Sequence, residues 1–186
     1  MTRIPTVGDV VTFKPGARPY AANKGTPFTV TAVSMDNTTT TPRVVLWLSD
    51  GDGGTRSAYA DDVTSHDIAT MAQAYIVAAL WSSTDEEGEP LDAVYGPDDV
   101  SPDLIQSSTD DVRSFVIMVT GEEIGADIST LDAAQFGHDL WLTRNHHGAG
   151  FWDRGLGELG DVLTKWAHSL GGVDLYVTDD GLIDAM

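Results

Sequence analysis

The sequence predicts an α+β protein. A small N-terminal β-barrel, residues 1–65, precedes a mainly helical domain, residues 66–186, that ends in a short β-hairpin. Three observations carry this prediction. Apolar residues alternate with polar ones up to about Ser65 and recur at helical spacing beyond it. Residues 1–66 hold six bases and six acids, whereas residues 67–186 hold four bases and twenty-three acids, so the entire net charge of −19 lies in the second part. The length of 186 residues, with 41% hydrophobic and 21% charged residues, suits one compact domain or two small ones. Pattern and charge change at one point, which places the domain boundary there.

The elements of the first part follow from turn chemistry and alternation. Val7-Gly8-Asp9 is a turn that leads into a strand over Val10-Val11-Thr12-Phe13. Pro15-Gly16 to Gly25 reads as a long loop. Phe28, Val30 and Ala32 alternate with Thr29 and Thr31, the period of a half-buried strand. Asn37 to Pro42 is a polar connection, and Val44 to Leu48 is a strand apolar on both faces. Asp50-Gly51-Asp52-Gly53-Gly54 is a hairpin turn, because glycine reaches positive φ without steric cost. Thr55 to Tyr59 is the return strand. Short strands packed this densely predict a small barrel. The opening Val-Gly-Asp-Val-Val with Phe13, followed by Thr29-Val30-Thr31, resembles the SH3-like barrels of many phage and bacterial proteins.

The second part alternates helices with acidic loops. Thr64 and Asp67 have capping-box spacing, and Ile68, Met71, Ala72, Tyr75, Ile76, Ala79 and Leu80 follow on one helical face, to about Trp81. Ser82 to Asp99 is an acidic loop. Ser101-Pro102-Asp103 has the order of a cap, a first-turn proline and an acid at the positive helix end. Thr109 or Asp110 is a candidate start for a separate helix carrying Val112, Phe115, Val116 and Val119. Ser129 and Asp132 have capping-box spacing before a helix to about Asn145. Leu156, Leu159, Leu163, Trp166 and Leu170 mark the last helix, which Gly171-Gly172 stops. Val173 to Val177 and Leu182-Ile183 flank the turn Asp179-Asp180-Gly181 as the terminal hairpin. Trp47, Trp81 and Trp166 lie on apolar stripes and are expected in the core.

Composition narrows the function classes. The absence of cysteine excludes disulfides, thiolate metal sites and a cysteine nucleophile. The negative charge makes nucleic-acid binding unfavourable for residues 67–186. No apolar run is long enough for a membrane span, so a soluble cytoplasmic protein with no membrane partner is expected. No cofactor is predicted. Asp50-Gly51-Asp52 with Asp61 imitates a calcium loop, but Gly54 and Thr55 stand where a ligand and a glycine are required.

Chemistry-bearing residues concentrate between Phe136 and Gly155. The stretch holds three of five histidines and two of the four bases of the acidic part. Three readings are open. His138, Asp139, His147 and Asp153 are candidate catalytic residues, and Asp139 with His146 would share a helix face as metal ligands if the helix reaches that far. The competing reading makes His138 a core histidine and His146-His147 a helix C-terminal cap. His147-Gly148-Ala149-Gly150 superficially resembles the oxyanion loop of esterases, but no nucleophile elbow accompanies it. Arg144, Asn145, His147, Trp152 and Arg154 are candidate ligand- or partner-binding residues, since arginine offers a bidentate fork. Against this, both arginines have Asp139, Asp153 or Glu158 near at hand as internal partners.

The run from Ala134 to Asn145, continuing through His147-Gly148-Ala149-Gly150-Phe151-Trp152-Asp153-Arg154, resembles a motif of uncharacterised bacteriophage and mobile-element proteins. Ala79 to Ser83 and Val173 to Val177 also fit. In that family a glycine usually stands where His146 stands here. The resemblance covers about residues 70–185 and implies a phage accessory protein of the bacterial cytoplasm. Together with the charge, it leads to the expectation of a non-enzymatic protein that binds a host or phage protein. A hydrolase or metal-dependent enzyme centred on 138–154 is the alternative.

Overall fold

The computed structural model describes residues 3–17, 26–38, 41, 43–85, 87–121 and 123–186. The loop expected over 15–25 and the connection over 37–42 lie partly outside these residues, as does Glu86 of the acidic loop. The architecture is α+β: a five-stranded antiparallel sheet, four α-helices and a C-terminal two-stranded hairpin. The chain divides into two compact units, Met1–Ile68 with Val116–Thr130, and Ala69–Phe115 with Leu131–Met186.

The first unit contains strands β1 (Val10–Phe13), β2 (Phe28–Asp36), β3 (Arg43–Ser49), β4 (Thr55–Tyr59) and β5 (Val63–His66), in the order β4-β3-β2-β1-β5. Phe13, Phe28, Val30, Leu46, Leu48 and Val63 share its core. No pairing closes β4 onto β5 among the described residues, so the sheet is open where a closed barrel was expected. It is nonetheless curled. Only the 3-10 turn Ala60–Asp62 joins the two edge strands, a reach of about 8 Å, whereas a flat sheet would separate them by roughly 19 Å. A register shift between Val30 and Ala32 bends β2. Beyond it Ala32 is exposed, against the alternation. The hairpin turn forms as predicted: Gly51 and Gly53 have positive φ, and Asp50 Oδ1 accepts from the Asp52 and Gly54 N–H groups.

Two expectations here are corrected. Trp47 is 51% exposed rather than core, because β3 buries Leu46 and Leu48 and turns the residue between them outward. Thr64 is not a helix cap; it lies in β5, opposite Thr12 of β1. Among the described residues of this unit three polar side chains are buried, Asp9, His66 and Thr120. Asp9 accepts from Arg3 and from the Thr6 N–H. His66 is 4% exposed, and loss of solvent pushes it down to about 4, against a raising influence of Asp127 and Asp9.

The second unit is built on α1 (Ile68–Ser82), which starts at the unit's edge, with α3 (Ala133–Arg144), α4 (Glu158–His168) and the hairpin β6 (Leu175–Val177) to β7 (Ile183–Ala185). The remaining helix, α2 (Pro102–Thr120), contributes residues up to Phe115 to this unit. Ser101 caps α2, its hydroxyl accepting from Leu104 N–H. No new helix begins at Thr109 or Asp110. The Thr109 hydroxyl donates back to the Ile105 carbonyl, so the side chain follows the preceding turn and the helix continues. The N-cap of α3 is Asp132, which accepts from Gln135 N–H. Ser129 instead donates its hydroxyl to Asp127. Ile76, Leu80, Leu91, Val100, Leu104 and Ile183 form one core cluster, which seats the hairpin beside the start of α2.

Candidate functional site

Helix α3 is enclosed almost all round: Phe136, Gly137, Asp139 and every residue from Leu140 to Arg144 are buried. Gly137 permits this, since a Cβ there would overlap the Met71 carbonyl of α1. A helix so enclosed must satisfy its buried polar side chains internally, and Asp139, Thr143 and Arg144 do so in turn.

Asp139 is the first. Its two carboxylate oxygens accept from Arg154 Nε and Nη2 at 2.6–3.0 Å, the bidentate fork. Gln135 Nε2 adds a third donor at 2.9 Å. The Thr143 hydroxyl donates to the Asp139 carbonyl and accepts from Phe151 N–H. This holds Phe151 against Phe115 and Phe136, at ring centroid distances of 6.1 and 5.2 Å. Gly150 has no room for a side chain, because a Cβ would sit 2.5 Å from Thr143 Oγ1 and from the Trp152 ring. Asp153 accepts from Gly150 N–H.

Arg144 is 5% exposed. It donates to the Tyr75 hydroxyl and to Asp111, both at 2.6 Å, and to the Gly171 and Leu170 carbonyls. Burial holds the Tyr75 hydroxyl well above the usual tyrosine range. Asn145 bridges similarly, donating to the Trp141 carbonyl and accepting from Val173 N–H. Arg144 and Asn145 thus clamp the end of α3 to the segment after α4, with their polar groups turned inward.

The chain leaves α3 through a Schellman turn. His147 N–H reaches the Leu142 carbonyl and His146 N–H the Thr143 carbonyl. His146 takes the left-handed conformation, φ 57°, and its ring lies 4.2 Å from that of His168. The helix therefore ends before His146, and the shared face expected for Asp139 and His146 does not form. Among the described residues no three His, Asp or Glu side chains converge as a metal-binding group.

His138 is the motif histidine that lines clefts. It is not a satisfied core histidine: its side chain is 33% exposed, and its buried Nδ1 has no hydrogen-bond partner. Asp139 Oδ1, at 3.6 Å, is beyond hydrogen-bond reach. His138 lines two clefts. One, of about 490 Å³, runs between α1 and α3 past Gln73, Val77, Gln135 and Arg154. The other, also about 490 Å³, is walled by Val77, Leu80, Trp81, Asp92, Tyr95 and Gly96.

Trp81 was expected in the core and is 56% exposed. The reason is legible in α1. Ile68, Met71, Ala72, Tyr75, Ile76, Ala79 and Leu80 face inward, which leaves Thr70, Gln73, Ala74, Val77 and Trp81 as a second face at helical spacing. Those residues border the clefts. Trp81, Tyr95 and Asp92 are the residues that motif reading missed. The available signal was a helix apolar on two faces.

Neither a family model, nor a curated protein, nor a solved structure matches the chain. Among the described residues no helix is long and apolar enough to cross a membrane.

Proposed function

We propose that this chain is a non-enzymatic accessory protein of a bacteriophage or mobile element. In this reading it acts in the bacterial cytoplasm and binds a host or phage protein through its acidic helical unit. The curled sheet of the first unit serves as an SH3-like module. One observation carries the binding reading. The second unit has nineteen acids against four bases, and all three of its arginines are already paired within it: Arg113 with Asp110, Arg144 with Asp111 and Arg154 with Asp139. The field this leaves outside is negative, which steers basic proteins inward and repels phosphate.

The test is affinity capture from bacterial lysate at increasing salt, beside an acidic control protein of matched charge. A discrete protein retained by this chain and not by the control, and released as salt rises, is the expected result. Equal retention by both overturns the reading. The alternative, a hydrolase or metal-dependent enzyme using His138, Asp139, His147 and Asp153, is favoured by the access of His138 to two clefts. It is opposed by the commitment of both Asp139 oxygens to Arg154. Metal analysis of the purified protein, with hydrolysis assays on His138→Ala, separates the two.

A further inference from the structure

The cleft beside Trp81 combines features that select one kind of occupant. Its wall carries an exposed indole, the partly buried Tyr95 ring and the exposed carboxylate of Asp92. The indole is backed by His138, with ring centroids 5.9 Å apart and planes 32° apart, so one face of Trp81 is supported. The volume, about 490 Å³, lies in the range of roughly 300–1,000 Å³ typical of ligand sites.

Aromatic faces attract cations, and guanidinium does so best because it also stacks as a plane. A carboxylate beside the rings supplies the matching acceptor for its fork. A second copy of this chain, with the same net charge of −19, is repelled, as is any polyphosphate. We infer that the Trp81–Tyr95–Asp92 cleft is the docking point for an arginine side chain presented by a basic protein segment. The guanidinium lies over the indole and pairs with Asp92. This rests on the protein-binding reading above and names the place and chemistry of contact.

The test uses the full chain and an acetylated, amidated hexa-arginine peptide, titrated calorimetrically at low salt. Hexa-citrulline, of similar shape without charge, is the comparison. Trp81→Ala leaves the charge unchanged and removes an exposed side chain, so it is expected to weaken hexa-arginine binding by about fivefold. Asp92→Asn is expected to weaken it further than the paired change Asp179→Asn with Asp180→Asn on the β6–β7 turn, although that pair removes twice the charge. The Trp81 indole N–H resonance, assigned from Trp81→Phe, is expected to shift with hexa-arginine and not with hexa-citrulline. Binding unaffected by Trp81→Ala, with a stationary indole resonance, overturns the cleft and leaves capture by diffuse charge intact. Absence of hexa-arginine binding also overturns the cleft, while lysate capture decides the broader reading separately.

Discussion

Both units bury an ion-paired carboxylate, Asp9 with Arg3 in the first and Asp139 with Arg154 in the second, but they differ in what else they bury. In the first, the imidazole of His66 is buried, which is tolerated because it stays neutral. In the second, a cation is buried as well as a carboxylate: Asp139 lies on Arg154, and the buried Arg144 on Asp111 and Tyr75. A neutral buried base is vulnerable to acid, whereas a buried ion pair is vulnerable to loss of either partner. The comparison also changes how the motif 138–154 is understood. Its density of arginine, aspartate and asparagine marks a helix buried over Phe136, Gly137 and the run from Asp139 to Arg144. The exposed aromatic cleft lies where the sequence has fewer such residues.

Breaking the ionic clamp gives the largest expected effect. Arg144→Met keeps most of the side-chain volume and removes four hydrogen bonds, one to each of four partners. It leaves the Tyr75 hydroxyl and the Gly171 and Leu170 carbonyls without their donor. Asp111 is 43% exposed and regains water, so its share is discounted. The expected loss is about 4 kcal/mol, read as a lower denaturation midpoint. Hydrogen exchange in α3 and α4 should rise more than in β1 and β5. Equal loss of protection in both units would remove the distinction drawn here.

Acid probes the other unit. The folded His66 titrates near 4 and the unfolded one near 6.5, so the unfolded chain takes up its proton first as pH falls. Stability from the neutral imidazole is complete above about pH 6.5, declines between about 6.5 and 4, and does not decline further below that. The maximum loss from this group is about 3 kcal/mol. Denaturant midpoints across this window should show the slope, and His66→Leu should flatten it. An unchanged slope in the variant would assign the acid sensitivity elsewhere.

The sequence made the elements legible and the environment of several side chains illegible. Strands β1 to β4, the Asp50–Gly54 turn and the helices around Tyr75, Leu140 and Leu163 follow from period and turn chemistry, which are local; β5 does not, because Thr64 beside Asp67 has the spacing of a helix cap. Continuity of α2 through Thr109 was hidden because a threonine side chain can either cap a new helix or bond back to the preceding turn. The openness of the sheet was hidden because β4 and β5 carry no local sign of whether they pair. For the motif, spacing showed that Asp139 and Arg154 were available to each other but not that Arg154 would take both carboxylate oxygens. Trp81 was misplaced because an apolar residue on a helix reads as core whichever of two apolar faces it occupies.

The smallest effect concerns the exit from α3. His146 stands at the left-handed position of the Schellman turn, where a side chain costs roughly 1–2 kcal/mol relative to glycine. Glycine is the residue this backbone geometry favours. His146→Gly should relieve that strain but release extra backbone freedom in the unfolded chain, and it should also remove the ring contact with His168. The balance is a gain of about 0.5 kcal/mol, measurable as a rise in Tm of roughly 1–2 °C. His146→Ala keeps the strain and loses the ring, so it should fall below the natural protein. If His146→Gly also falls below it, the His146–His168 contact outweighs the strain. The departure from glycine would then be a stabilising choice of the helical unit, one made with aromatic packing rather than with an ion pair.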